Sequence, residues 1–170
     1  MANAQTLYKL MILYMLRKVS FPLSNAQITE FMVGKTYTDY FHVQEAISDL
    51  VEAKLIDAEK IRNTSRYTAT MDGERTLEYF SSEISYAIKK DIDAYLTENA
   101  FELRNESCMT ADYRLTNDGG YAVRCQVKEG SETVIDLTVN VTCEEEAERV
   151  CSRWPAKAQE IYMDIMTKLL

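Results

Sequence analysis

The chain has one histidine, two prolines and five glycines among its 170 residues, and its four cysteines form no C-x-x-C pair. Each scarcity excludes something. The single histidine, His42, stands beside Tyr40 and Phe41 on a helical segment, where it reads as a surface or packing residue rather than a general base. No G-x-G-x-x-G, P-loop, G-x-S-x-G or H-E-x-x-H string occurs, and Gly119-Gly120 sits in a hairpin context rather than a phosphate cradle. The expectation is a protein that is not an enzyme and carries no cofactor. Cys108, Cys125, Cys143 and Cys151 lie at irregular spacing without a flanking histidine, the pattern of buried free thiols in a cytoplasmic chain rather than of a metal or redox site. No apolar run approaches the length needed to cross a bilayer. The opening MANAQTLYKL lacks a basic n-region and a cleavage site, so no membrane partner and a cytoplasmic location are expected. No repeat or low-complexity linker interrupts the chain.

What is present is a well-mixed globular composition, 46% hydrophobic and 27% charged, with a net charge of -8. A net negative charge opposes generic nucleic-acid binding, because Lys and Arg neutralising phosphates supply most non-specific affinity. Its distribution is uneven. Residues 1–70 carry 8 Lys+Arg against 7 Asp+Glu, while residues 71–170 carry 11 against 20, so the acidity belongs to the second part of the chain.

Residues 4–18 place Leu7, Leu10, Met11, Tyr14 and Met15 at spacings of three and four, which predicts an amphipathic first helix. Phe21-Pro22-Leu23 ends it. Ser24-Asn25-Ala26-Gln27 has the S-x-x-Q form of a capping box, opening a second helix whose apolar side is Ile28, Phe31 and Met32. Gly34 suits its C-terminal cap, and Thr38 an N-cap for a third helix. At 100° per residue, Val43, Ala46, Ile47 and Leu50 share the face of that helix that must be buried. The opposite face carries Thr38, Phe41, Gln44, Glu45, Ser48 and Glu52.

From Tyr37 to Phe80 the order is a helix ending in Lys54-Leu55-Ile56, two short strands joined by Arg62-Asn63-Thr64-Ser65, and a new helix opening at Thr70 with Asp72-Gly73-Glu74. Lys60, Arg62 and Arg66 stand around the hairpin tip. The exit Leu50...Lys54-Leu55-Ile56 and the re-entry Arg66-Tyr67-Thr68-Ala69-Thr70-x-x-Gly73-x-x-x-Leu77 resemble the second half of a winged-helix DNA-binding domain of the MarR/PadR kind. The resemblance implies a DNA-binding regulator. Its recognition helix would meet the major groove through Thr38, Phe41, Gln44, Glu45 and Ser48, with a phosphate at the helix N-terminus by Ser24 and the backbone gripped by Lys60, Arg62 and Arg66. Gln44 can read adenine, Ser48 either partner, Phe41 a thymine methyl, and Glu45 cytosine N4. The carboxylates Glu45, Asp49 and Glu52 depart from the usual recognition helix. A winged helix used for protein contact, anchored by Phe41 with Tyr37 and Tyr40, is the alternative.

A fifth helix from Glu83 to about Thr97 presents Ile84, Ile88, Ile92, Tyr95 and Leu96. From Phe101 the period changes to two. Leu103 to Tyr113 predicts a strand, Asn117 to Gly120 a turn, Tyr121 to Lys128 a second strand, Glu129 to Glu132 another turn, and Val134 to Val141 a third strand with Ile135, Leu137, Val139 and Val141 on one side. The last helix, from about Glu144, presents Ala147, Val150, Cys151, Trp154, Ala158, Ile161, Tyr162, Ile165 and Leu169 as a buried stripe, with a kink or break expected at Pro155. The acidic run Glu144-Glu145-Glu146-x-Glu148 suits the helix start electrostatically and needs no metal.

The expected fold is therefore α+β: a winged helix over 1–82, a connecting helix over 83–97, and over 98–170 a three-stranded antiparallel meander covered by a long helix. That last part would dimerise the protein or sense a signal, and double-stranded DNA and a second copy of the chain are the expected partners. The whole chain also resembles a family of uncharacterised proteins of Gram-positive anaerobes, described only as a domain of unknown function. The residues carrying this likeness are the opening through Leu16, Gln44-x-x-Ile47-x-x-Leu50, Ile92-Asp93-Ala94-Tyr95-Leu96 and the Trp154 helix; it implies a transcriptional regulator with no catalytic residues.

Overall fold

Burying Leu10, Met11, Ile12 and Leu13 consecutively requires apolar neighbours on every side of a helix, and the middle of α1 (Ala4–Lys18) has them. The stripe expected on this helix is thus a full circumference at its centre, and α1 is the axis of the first of two compact units. The computed structural model describes residues 3–170. The first unit runs to Lys60 and from Thr64 to Leu103, and the second comprises 104–170 with the hairpin tip 61–63.

Around α1 stand β1 (Leu23–Ser24), α2 (Asn25–Gly34), α3 (Tyr40–Glu52), β2 (Ile56–Ile61), β3 (Thr64–Ala69), α4 (Met71–Phe80), a 3-10 turn at Ser81–Glu83, and α5 (Tyr86–Glu98). The strands form a sheet in the order β1-β3-β2, with Leu23 opposite Tyr67 and Ser24 opposite Arg66. Val43, Ala46, Ile47 and Leu50 of α3 are buried, as their spacing requires. α5 belongs to the same core, as does Ile84 just before it: Ile84, Ile92 and Leu96 are buried, the Tyr95 ring lies 5.1 Å from Phe31, and the Tyr37 hydroxyl donates to Asp91 at 2.6 Å. Burial, reinforced by Asp91, pushes the Tyr37 phenol up to about 12.

Two expected caps are displaced. Asp39, not Thr38, caps α3, because its carboxylate accepts the His42 N–H at 3.0 Å and brings negative charge to the helix start. Gly34 remains helical, and the left-handed residue after α2 is Thr36, at φ 59°. α5 begins at Tyr86 rather than Glu83, where Ser85 accepts the Ile88 N–H.

The turn from α3 into β2 is closed by the start of α4. Lys54 adopts φ 58°, Thr70 donates its backbone N–H to the Leu55 carbonyl at 3.1 Å and its hydroxyl to the Lys54 carbonyl at 2.8 Å, and the same hydroxyl accepts the Gly73 N–H. A Cβ on Gly73 would stand 2.0 Å from the Leu55 oxygen, so only glycine permits this approach.

The second unit holds β4 (Met109–Leu115), β5 (Tyr121–Glu129), β6 (Glu132–Val141) and α7 (Glu144–Leu169), with an antiparallel sheet in the order β4-β5-β6. Gly119 at φ 86° and Gly130 at φ 61° supply the two turns. Val127 pairs with Ile135 but Lys128 pairs with Thr133, so Val134 is skipped as a bulge. The first half of the expected strand at Leu103 to Tyr113 is instead a helix, α6 (Ala100–Cys108). Leu103 and Ser107, one helical turn apart, are its buried positions, and the alternation of Phe101 with Leu103 is too short to separate the two periods.

α7 passes through Pro155 without a break. Ala147, Cys151, Trp154 and Ala158 hold it on the sheet on both sides of the proline, and the Trp154 indole N–H donates to the Gln126 carbonyl at 3.0 Å. The expected stripe does not stay buried to its end: Ile165 is 37% and Leu169 78% exposed. At 26 residues the helix is about 39 Å long and outruns strands of 7 to 10 residues. Of the four cysteines expected to be buried, Cys125 and Cys151 are, in this core, while Cys108 is half-buried and Cys143, directly before α7, is exposed; burial pushes the Cys125 thiol up to about 11. In the acidic run, Glu144 and Glu148 share the single proton of the Tyr113 hydroxyl, at 3.1 Å and 3.3 Å, and Glu146 accepts from Thr142. No described helix is long and apolar enough to cross a membrane.

Gly73→Ala should lower stability by about 1–3 kcal/mol through backbone displacement at Leu55, read by thermal denaturation followed by circular dichroism. Trp154→Ala should cost about 3–5 kcal/mol. Because Trp154 is the only tryptophan, wild-type fluorescence should report melting of the second unit, and a Gly73→Ala variant as stable as wild type by the helical signal would contradict the close approach at Leu55.

Candidate nucleic-acid interface

A capping box commits Ser24 before any ligand arrives. The residue is 5% exposed, its hydroxyl accepts the Gln27 N–H at 3.1 Å, and Gln27 Oε1 accepts the Ser24 N–H at 2.9 Å. What this end of α2 offers an anion is therefore its first-turn backbone N–H groups and the positive end of the helix dipole, not the serine hydroxyl. Register places Arg66, the third residue of β3, directly opposite Ser24.

On α3, Phe41, Glu45 and Ser48 lie along one outward strip at spacings of four and three, all exposed. Phe41 is 80% exposed and meets Tyr40 edge-on at 5.8 Å between ring centres. Thr38 is half-buried and precedes the cap, so it is not part of this strip. Of the neighbouring carboxylates, Asp49 pairs with Lys9 at 2.8 Å, and Asp39 is held below the ordinary carboxylate range by the His42 backbone N–H and imidazole. His42, the one histidine, is thereby engaged at the cap, with Nδ1 2.9 Å from Asp39.

The hairpin turn is only Arg62-Asn63, with Arg62 at φ 55°, shorter than the four-residue connection expected. Lys60 is the exposed penultimate residue of β2, and Arg62 is exposed in the turn. Arg66, expected at the tip, is half-buried within β3 beside the start of α2. The three cations thus divide between the hairpin end and the α2 end.

Gln44 is half-buried and does not stand alone. Its side-chain amide exchanges hydrogen bonds with that of Asn25, at 2.8 Å and 2.9 Å, and donates to Thr29 Oγ1 at 3.3 Å. Thr29 donates to Asn25 at 3.2 Å, and Asn25 reaches the Tyr67 hydroxyl at 3.5 Å. Asn25, Thr29 and Tyr67 escape sequence reasoning, because the apolar side of α2 dominates its pattern. The available signal is two polar residues one turn apart, immediately inside a capping box.

The described residues contain no group of three or more His, Cys, Asp or Glu side chains placed to hold a metal ion. No curated protein and no solved structure matches the chain. A model of the family described as domain of unknown function DUF4364 matches residues 8–169, across both units, and the chain belongs to that family.

Proposed function

We propose that the first unit is a winged helix of the MarR/PadR kind and that the protein is a cytoplasmic, dimeric, DNA-binding transcriptional regulator. The observation that carries this reading is the pairing of β1 with β3 in the order α1-β1-α2-α3-β2-β3, which sets Arg66 opposite Ser24 at the start of α2. In this reading α3 enters the major groove with Phe41, Glu45 and Ser48 facing the bases, half-buried Gln44 reaching them from the edge of that strip, and Thr38 standing beside them. The α2 N-terminus and Arg66 hold one phosphate, while Lys60 and Arg62 lie along the backbone. The second unit serves dimerisation or signal sensing; Ile165 and Leu169, uncovered on α7, are the kind of apolar surface a second copy covers.

A second reading is favoured by the exposed Tyr40–Phe41 pair: a winged helix that anchors a protein partner through these rings. Counterion release separates the two. Selection from random duplex DNA at about physiological salt should enrich a palindromic motif. Replacing Lys60, Arg62 and Arg66 together with Ala, in a variant that keeps its helical spectrum, should weaken binding to all duplexes alike and reduce the salt slope by about one for each phosphate no longer neutralised. A folded wild-type protein that enriches nothing, and whose Phe41→Ala variant loses a protein partner, would favour the second reading.

A further inference from the structure

We infer that Asn25 clamps the Gln44 amide so that Gln44 offers a DNA base one hydrogen-bond acceptor and no donor. This rests on the DNA-reading assignment of α3 and deepens it. A primary amide has two N–H donors and an oxygen with two lone pairs. Both donors of Gln44 Nε2 are used, one on Asn25 Oδ1 at 2.9 Å and one on Thr29 Oγ1 at 3.3 Å. Gln44 Oε1 accepts once, from Asn25 Nδ2 at 2.8 Å, and keeps one lone pair.

Asn25 is filled in turn. Its oxygen accepts from Gln44 and from the Thr29 hydroxyl at 3.2 Å, and its second N–H points to the Tyr67 hydroxyl at 3.5 Å. Thr29 and Asn25 lie one turn apart on α2, and Tyr67 lies buried in β3, so two elements brace Asn25 against α3.

The usual pairing of a glutamine with adenine is bidentate, with Nε2 donating to N7 while Oε1 accepts from N6. In the clamped state the donor half is missing. The remaining lone pair can take a hydrogen only from an exocyclic amino group, cytosine N4 or adenine N6. Guanine and thymine present acceptors at the corresponding edge, O6 and N7 or O4, and would leave this oxygen desolvated without a partner. Asn25 is a positioning residue: it touches no base, and it converts a reader of adenine into a reader of amino-bearing bases.

The test is motif selection with wild type, Asn25→Ala and Gln44→Ala, together with the side-chain amide signals of the full-length protein by nuclear magnetic resonance. Wild type should show one position at which cytosine and adenine are enriched together over guanine and thymine. Gln44→Ala should flatten that position alone. Asn25→Ala, by releasing the donor, should narrow it to adenine, favoured over cytosine by about fivefold or more, the low end for a bidentate pair. In wild type the Gln44 amide protons should exchange slowly with solvent, and in Asn25→Ala rapidly. An adenine-only position in wild type, or a preference unchanged by Asn25→Ala, overturns the base assignment. Fast exchange of the Gln44 amide in wild type overturns the clamp itself, whatever the DNA result. No enriched motif from any of the three, with a slow Gln44 amide, overturns the DNA reading and the base assignment with it, while leaving the clamp demonstrated.

Discussion

The Leu55 carbonyl is the point on which the geometry of the first unit depends. It accepts the Thr70 N–H and lies so near Gly73 that no side chain fits between them. Thr70 is at once the last residue before α4, its N-cap, and a donor to the Lys54 carbonyl. Three elements meet there: the end of α3, the start of β2 and the start of α4. The hairpin can leave and return only along one path, and that path brings β3 alongside β1. The glycine is required for close approach rather than for positive φ, which explains why it sits inside a helix where glycine otherwise costs about 1 kcal/mol.

A second constraint acts across α2 and α3, and it is polar. Apolar packing through Phe31, Met32, Ile47 and Leu50 buries area but tolerates sliding. The reciprocal amide pair of Asn25 and Gln44 does not, because displacement by an ångström breaks two hydrogen bonds and leaves half-buried amides unsatisfied. The capping box one residue earlier fixes the first turn of α2, so Asn25 is presented from a rigid end. The angle between the two helices is thereby set by directional bonds at one end and by packing along the rest.

Much of this is legible in the sequence, for identifiable reasons. The buried face of α3, the capping box at Ser24 and Gln27, the three-stranded meander and the Trp154 helix all follow from periodicity or from a short motif with a single geometric meaning. Each failure has its own physical cause. Asp39 displaces Thr38 because two adjacent cap formers compete and the carboxylate has the stronger interaction with the helix end. Leu103 to Cys108 is helix because a short alternating run fits either period and long-range burial decides between them. α7 stays whole at Pro155 because tertiary packing on both sides outweighs one missing hydrogen bond. The Asn25–Gln44 pair is invisible because it joins residues 19 apart that no local rule relates.

The charge balance bears on how such a protein would discriminate. Residues 71–170 are strongly acidic and the first 70 residues are nearly neutral, so on the proposed reading counterion release is confined to the few phosphates met by Lys60, Arg62 and Arg66 and gives only modest affinity for arbitrary duplex. On α3 the carboxylates are not equivalent: Asp39 is spent on the cap and Asp49 on Lys9, which leaves Glu45 on the outward strip, with Glu52 at its far end. A carboxylate facing the groove is repelled by every base edge except one that offers an amino hydrogen. On the proposed reading, Glu45 and a clamped Gln44 impose the same demand from adjacent positions, and both act by penalising the wrong base more than by rewarding the right one. Weak attraction to the backbone makes that penalty decisive, because a site that fails at the bases has little phosphate affinity to hold it.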